Sequence, residues 1–559
     1  MPRRGICRQT RRRAWQPKRW PPGARRPRGR KASGRSWRRG GPRSTPRSTR
    51  TGTGDDVFDR LLIANRGEIA LRIIRACREL GVASVAVYSA ADAGAPHVSA
   101  ADAAEPVGSA GPGGYLDVGA IVDAAKRSGA AAVHPGYGFL AENPLFPAAC
   151  SDAGLTFIGP TAEAIERMGS KVEARRHAVA AGLPVVPGET PEQDAASMKE
   201  AAARLGYPLL VKATAGGGGK GMRVVRTPGA LPAALNAARH EAEAAFGDGT
   251  LYLEHLLDRP RHVEVQVLGD AHGGAIHLFE RDCSVQRRHQ KVVEESPSPA
   301  LSPALRDRMG AAAAALARHI GYRSAGTVEF LLEGSGEEAR FYFLEMNTRL
   351  QVEHPVTEAV LGVDLVQAQL RIAAGEPLPW RQEDLRQRGH AIECRIYAED
   401  PESSFLPQAG MLRVYREPRA PGIRVDSGVV EGGEVSVHYD PLLAKLIACA
   451  ETREGARRRA VAALRQYAVL GIKTNIPFLV RVLEHEAFRE GTIDTGFLDG
   501  PGAALAAPAP PDAARLRAAA AAVAAHAPGR GTAATASAAT AYDPWTALGN
   551  WGRTLTKAR

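Results

Sequence analysis

From Phe341 to Glu358 the chain reads FYFLEMNTRLQVEHPVTE. It opens like a buried strand. From Glu345 onward every second residue is polar: Glu345, Asn347, Arg349, Gln351 and Glu353. Met346, Leu350 and Val352 lie between them, with Thr348 the exception. A period of two is one face of an extended segment. The pattern predicts a strand that carries a carboxylate, an amide, a guanidinium, a second amide and a second carboxylate on one face.

The preceding strand supplies a partner. GTVEFLL and FYFLEMN flank the turn-like GSGEE. Pairing that is symmetric about Glu337 puts Glu329 opposite Glu345. Like charges directly opposite are destabilising unless a cation lies between them. Asn347, two residues on, adds an oxygen on the same face. Hard oxygen ligands suit Mg²⁺, which also binds nucleotide phosphates. The alternative is two solvated carboxylates on an open sheet face.

Three further features point to phosphate. ATAGGGGKGM (Ala213–Met222) joins two strands. It lacks the G-x-x-x-x-G-K-[ST] spacing and the following helix of a P-loop. Glycines between strands make a hairpin lid whose amides can approach phosphate oxygens closely; a plain flexible loop is the other reading. Lys171, at a helix start, and Lys212, at a strand end, are candidate phosphate ligands. ERDCSVQRRHQKVVEE (Glu280–Glu295) places Gln286, His289 and Lys291 within six positions. It reads either as a solvated loop or as a cradle of donors for a small anion.

The opening segment FDRLLIANRGEIALRIIRACRELGVASVAVYSAADAG reads β-α-β. Leu61–Ala64 is a strand. Ile69, Ile73, Cys77 and Leu80 mark one helix face, and Gly81 stops the helix. Ala83–Tyr88 is the next strand. This is a doubly wound start, but no G-x-G-x-x-G follows the first strand, so a dinucleotide site is not indicated. Ser170 and Glu173 form a capping box before a helix that ends near Gly182. The stretch to Glu353 is mostly strands, with helices near 231–246 and 303–320.

Charge divides the chain. Residues 1–54 hold 19 Lys plus Arg and no acid, so the remainder carries −6 against the chain's +13. The arm is too poor in aliphatics to offset its ordering entropy and reads as disordered. It has three readings: a tail for nucleic acid or another acidic surface, an Arg-rich transit peptide, or a stretch translated from an upstream start. Six dispersed cysteines without a C-x-x-C argue against a zinc site or a disulfide framework, and fit a reducing compartment. No apolar run is long enough to span a membrane.

Several motifs then carry a resemblance. HPGYGFLAENP, MGSK, GGGGKGM, RHVEVQVL, ERDCSVQRRHQK, FLEMNTRLQVEHPVTE, GHAIECRIYAEDP and GIKTNIPF follow one another between Val57 and Asp499. In this order they resemble biotin carboxylase, as found in the α subunit of acyl-CoA carboxylases. The resemblance implies a mixed α/β and α+β fold. Its parts would be a disordered basic arm (1–56), a doubly wound pre-ATP-grasp domain (57–169), an ATP-grasp domain (170–380), a biotin carboxylase C-terminal domain (381–499) and an Ala/Pro-rich linker with a truncated tail (500–559).

It also implies roles. Glu329, Glu345 and Asn347 would hold Mg²⁺ or Mn²⁺. ATP would be held by Lys171, Lys212, Gly218, Gly219, Met222, Glu254, His255, Leu256, Leu257, His262, Gln286 and His289, with Glu329 and Glu345 acting through the metal. At His255, where the family often has lysine, a backbone contact is expected. Arg349, Gln351 and the Val352 amide would bind bicarbonate, with Lys291 closing the site. Glu353 would be the general base, Arg349 would stabilise the biotin enolate and Arg395 would bind biotin.

The implied partners are a biotin carboxyl carrier protein or domain, a carboxyltransferase subunit and a second copy of the chain. No Ala-Met-Lys-Met occurs, so biotin is expected on another chain. The implied location is the cytoplasm, or the mitochondrial matrix if the arm is a transit peptide. Two alternatives stay open: the corresponding part of another ATP-grasp carboxylase, such as one for pyruvate or urea, and an inactive ligase body with a nucleic-acid-binding arm.

Overall fold

The computed structural model describes residues 57–214, 222–334 and 336–507, with three further helical positions at 517, 519 and 521. Gly218 and Gly219, most of the glycine lid, the basic arm and most of the tail lie outside the described residues. No helix among the described residues is long and apolar enough to cross a membrane.

The first sheet is parallel. Strands β1 (Arg60–Ile63), β2 (Ala83–Tyr88), β3 (Ala103–Pro106), β4 (Ala132–His134) and β5 (Thr156–Phe157) lie in the order β3-β2-β1-β4-β5. Leu61, Leu62 and Ile63 are fully buried, as expected of a strand covered on both faces. The helix Gly67–Glu79 buries Ile69, Ile73 and Cys77. Leu80 caps it, and Gly81 adopts φ +73°, a left-handed turn that favours glycine.

The first βα turn has been put to another use than dinucleotide binding. Asn65 Nδ2 donates to the carbonyls of Pro135 and Tyr137, each at 2.7 Å. A Cβ on Gly136 would lie 2.8 Å from that same nitrogen, so glycine is required there. The turn thus clamps the HPGYGF loop.

A small four-stranded sheet follows. Its strands are β6 (Gly188–Glu189), β7 (Leu209–Ala213), β8 (Arg223–Val225) and β9 (Leu251–His255), in the order β6-β9-β7-β8. The helices Ala195–Leu205 and Leu231–Phe246 pack on it through Met198, Leu235 and Ala238.

The largest sheet is antiparallel. It comprises β10 (Arg261–Gly269), β11 (Ala275–Arg287), β12 (Gln290–Ser296), β13 (Ser324–Glu333), β14 (Arg340–Asn347), β15 (His390–Tyr397), β16 (Ile423–Ser427) and β17 (Leu442–Ala450). The order is β14-β13-β10-β11-β12-β15-β17-β16. The sheet continues across residue 381 without a break. One face of its C-terminal half packs on the helices Arg453–Gln466 and Ile476–Glu484. The other face receives the helix His354–Leu361 through Val356, Val360, Ala391 and Ile447.

Two local expectations are corrected. Glu280–Glu295 is no solvated loop: β11 and β12 form a hairpin turning at Arg288 and His289, both with positive φ (48° and 67°). The polar alternation of 345–353 is not one strand. β14 ends at Asn347, and Arg349 and Gln351 stand in a loop. Glu353 is the N-cap residue of the helix His354–Leu361. The Pro at position 355 and the apolar run after it favour a helix start there.

Candidate active site

The cross-strand register builds a charged row. Glu345 on β14 faces Glu329 on β13, as the hairpin symmetry predicts. A bulge follows between Glu329 and Phe330, so the symmetry about Glu337 holds only for the inner part of the site. Glu329 faces Glu264 on β10, and Glu264 faces Arg281 on β11. Three carboxylates therefore stand in line across three strands, with a guanidinium at the end.

Lys291, on β12, lies over this row. Its Nζ donates to Glu264 Oε2 at 2.5 Å, Glu329 Oε1 at 2.7 Å and Glu353 Oε1 at 2.7 Å. One ammonium thus ties together residues from three separate parts of the chain. Three facing carboxylates push its proton affinity well above the usual lysine range, against the desolvation that opposes charge.

Glu353 sits between two cations. Oε1 accepts from Lys291, and Oε2 accepts from Arg395 Nη2 at 2.9 Å. Burial favours its neutral form, but Lys291, Arg395 and Arg281 outweigh burial and hold it well below the usual carboxylate range. Arg395 Nε also donates to Glu294 Oε1 at 2.5 Å. Asn475, in GIKTNIPF, bridges the Arg395 carbonyl (3.0 Å) and the Tyr397 amide (2.9 Å) and so fixes this strand.

Arg281 is the scaffold of the cluster. It is fully buried. Nε donates to Glu264 (2.5 Å), Nη1 to Gln266 (2.8 Å) and Thr357 (3.0 Å), and Nη2 to Thr327 (3.1 Å) and Gln351 (2.7 Å). All five guanidinium donors are used. Because Gln351 Oε1 accepts from Arg281, its Nε2 is turned to Glu329 Oε1, 2.8 Å away.

The expected metal residues are partly assembled. Glu329 and Asn347 are hydrogen-bonded through Asn347 Nδ2 at 2.8 Å, while Asn347 Oδ1 accepts from Arg349 Nη2 at 3.0 Å. Asn347 therefore shows a nitrogen to Glu329. A second candidate set is His262, Glu264 and Glu329, whose donor atoms lie within 4.8 Å of one another. His262 Nε2 stands 3.0 Å from Glu329 Oε2. Desolvation lowers the imidazole's proton affinity, but Glu329 outweighs it, and the net shift is upward.

Glu329 itself is held well below its usual range, by Lys291 and His262 acting against desolvation. Glu345 is different. It is exposed and has no ion-pair partner among the described residues. Reduced hydration there, and the facing Glu329, raise its proton affinity. An unpaired carboxylate opposite a second one fits a hard divalent cation.

The expected nucleotide residues lie on the small sheet and on the neighbouring strands and helix. Lys212 on β7 pairs with Glu254 on β9, and Arg175 also reaches Glu254, at 3.4 Å. Lys171 begins the helix Lys171–Ala180, where burial lowers its proton affinity while Glu345 opposes the change. The amides of His255 and Leu256 are occupied by the carbonyls of Pro187 (2.8 Å) and Pro208 (3.1 Å). The backbone contact expected at His255 therefore cannot use its N–H, and Leu257 is the next residue along. Met222 borders the lid. Gln286 faces Lys291 across the hairpin. His289 stands exposed at the hairpin tip, without a hydrogen bond among the described residues.

Of the expected anion-binding residues, Arg349 reaches Glu142 of the HPGYGFLAEN loop at 3.3 Å. The Val352 carbonyl accepts from Lys445 Nζ at 2.8 Å, which fixes that turn. Glu264, Arg281 and Glu294 were not singled out in the sequence. For the first a signal existed: HVEVQV alternates Glu264 and Gln266 with valines.

The chain matches three protein-family profiles. Residues 57–165 match "Biotin carboxylase, N-terminal domain", 170–381 "Carbamoyl-phosphate synthase L chain, ATP binding domain", and 393–500 "Biotin carboxylase C-terminal domain". It is 50% identical over 447 residues to the biotin carboxylase of Halalkalibacterium halodurans, covering 79% of this chain and 97% of that one. It is 50% identical over 444 residues to the mitochondrial methylcrotonoyl-CoA carboxylase subunit alpha of Glycine max, covering 79% of this chain and 60% of that subunit. Among solved structures it resembles the biotin carboxylase domain dimer of Hydrogenobacter thermophilus 2-oxoglutarate carboxylase, in complex with MgADP, ADP and bicarbonate. The TM-score is 0.77 and the identity 47%, over 81% of this chain and 99% of that one.

Proposed function

The chain belongs to the biotin carboxylase family, and on that premise we propose that the cleft around Lys291 aligns nucleotide phosphate, bicarbonate and biotin. The reaction is the ATP-dependent carboxylation of biotin by bicarbonate, a ligase reaction that uses Mg²⁺. Bicarbonate attacks the γ-phosphate of ATP to give carboxyphosphate and ADP. Carboxyphosphate would break into CO₂ and phosphate, the phosphate would take the ureido N–H proton of biotin, and that nitrogen would bond to CO₂. The observation that carries the assignment of roles is the position of Glu353, a buried carboxylate held between Lys291 and Arg395.

Glu353 is the proposed base. A base must be ionised and within reach of its proton. Glu353 is ionised at neutral pH, but both its oxygens are held by cations. It gains proton affinity only when one cation moves away. Lys291 is the mobile one, since it is a point charge shared among three carboxylates at the end of a flexible stem. A bound phosphoryl group would draw Lys291 toward itself and free Glu353 Oε1. Arg349 presents a planar fork suited to a carboxylate-shaped anion. Arg395 sits on the far side of Glu353 and is the proposed biotin ligand.

Glu345 and Glu329 are the proposed metal ligands, where Mg²⁺ would neutralise charge on the transferring phosphoryl group. Glu345→Gln should raise the Mg²⁺ concentration needed for half-maximal ADP release about tenfold. A metal titration of the variant checks this. An unchanged midpoint would remove Glu345 from the site.

The function is tested by ADP release from the purified chain with free biotin. Release should require bicarbonate and biotin together. ADP formed at the full rate without either one would reject the reading. The relatives serve different final acceptors at similar identity, methylcrotonoyl-CoA in one and 2-oxoglutarate in the other. We place the choice of acceptor in a separate carboxyltransferase, and the biotin on a carrier protein or domain. A homodimer is proposed from the dimeric neighbour. The five described cysteines are free thiols, consistent with a reducing compartment: the cytoplasm, or the mitochondrial matrix if the basic arm is a transit peptide.

A further inference from the structure

Behind Arg395 lies a second pair of facing carboxyls. Glu294 on β12 stands directly across from Glu393 on β15. Paired residues point to the same side of a sheet, here the side covered by the helix His354–Leu361. Both are completely buried. Glu294 Oε1 takes the Arg395 Nε bond, but Glu294 Oε2 and both oxygens of Glu393 have no hydrogen-bond partner among the described residues.

The nearby cations do not resolve this. From β15, Arg395 is already shared by Glu294 and Glu353. From β17, Lys445 is engaged by Glu68 (3.1 Å) and by the Val352 carbonyl (2.8 Å). The start of the covering helix adds a further carboxylate, Glu353. Its His354 is turned to the Gln351 carbonyl by Nδ1. A second ionised carboxylate opposite Glu294 would thus be buried beside a like charge with no hydrogen-bond donor, its nearest cation Lys445 being bonded elsewhere, which is strongly unfavourable. A proton between the two removes both problems, because a neutral carboxyl supplies the missing donor.

We propose that Glu393 is protonated in the resting protein and donates its O–H to Glu294 Oε2, so that the two carboxyls form one protonated pair bracing Arg395. Glu294, the weaker proton holder of the two, keeps Arg395 by Nε, which leaves the Nη end directed at Glu353. Glu393 is a positioning residue: it acts on Arg395 only through Glu294. The direction of both shifts agrees. Desolvation raises Glu393 well above the usual carboxylate range, with Lys445 opposing and Glu294 adding, and desolvation pushes Glu294 up to about 7 against Arg395, so the proton rests on Glu393.

The sign of the pH effect follows. The unfolded chain releases the Glu393 proton near pH ~4.3, whereas the folded protein keeps it. Above that pH, folding must take up a proton, so this group's contribution to stability falls as pH rises. Glu393→Gln has no proton to lose and can donate the same hydrogen bond.

The test uses the full chain. The infrared difference between wild type and Glu393→Gln at neutral pH should contain the carbonyl stretch of a protonated carboxyl. Its absence would overturn the proposal. The melting temperature of Glu393→Gln relative to wild type should rise between about pH 6 and pH 9. A relative value that falls, or does not change with pH, would overturn it. Glu294→Gln provides a second variant: changing the acceptor should shift the carboxyl band, and an unshifted band would disprove the pairing.

The consequence for turnover rests on Arg395 being the biotin ligand. Glu393→Gln should keep ADP release with free biotin within about threefold of wild type, since the donor is preserved. A loss beyond about tenfold would mean that charge on Glu393 is required, against the proposal. If wild type itself fails to couple ADP release to bicarbonate and biotin, the functional reading has failed. The infrared and melting measurements still decide where the proton is.

Discussion

Glu353→Gln should lower bicarbonate-dependent ADP release by about 10²- to 10⁴-fold, the usual contribution of a positioned acid or base. Nucleotide affinity should change little, because Glu353 touches Lys291 and Arg395 and lies away from the small sheet that carries Lys212 and Glu254. The amide has nearly the carboxylate's shape but cannot accept the bicarbonate proton. Steady-state ADP release against bicarbonate, with MgADP affinity measured by calorimetry, separates the two effects. Turnover above about a tenth of wild type would reject Glu353 as the base. A parallel loss of nucleotide binding would instead mean that the substitution had disturbed Lys291 and the carboxylate row.

Arg281→Met should destabilise the body by about 3–5 kcal/mol, the range for breaking a buried charge pair. Arg281 has 0% exposure and donates five side-chain hydrogen bonds. Its removal leaves Glu264 with Lys291 alone and frees Gln351 to turn away from Glu329. Lysine should not rescue it, since one ammonium cannot satisfy acceptors spread around a planar fork. The urea midpoints of wild type, Arg281→Met and Arg281→Lys give the comparison. A change below about 1 kcal/mol in Arg281→Met would show that the network holds without its scaffold.

These two residues mark how far the sequence could be read. Glu353 is legible because it ends a period-two run, although the strand itself extends only to Asn347. The loop and helix start that follow still bring Gln351 and Glu353 to the same cluster, through Arg281 and Lys291. Arg281 was passed over because its five acceptors come from four distant segments. No local pattern announces that a single buried guanidinium will be satisfied by β10, β13, the Gln351 loop and the helix His354–Leu361.

What the sequence determined alone is what short-range physics decides. The first β-α-β unit follows from apolar periodicity and from a glycine that can take positive φ after Leu80. The pairing of Glu329 with Glu345 follows from a hairpin, whose register a short turn sets. What only the tertiary structure decided is which strands become neighbours. The order β14-β13-β10-β11-β12-β15-β17-β16 puts Glu264 beside Glu329 and Glu294 beside Glu393, although about a hundred residues separate Glu294 from Glu393. That order is chosen by the burial of whole sheet faces, a sum over many contacts that no single segment encodes. The charges of the site are written locally, but the partners that set their protonation are assigned by the sheet.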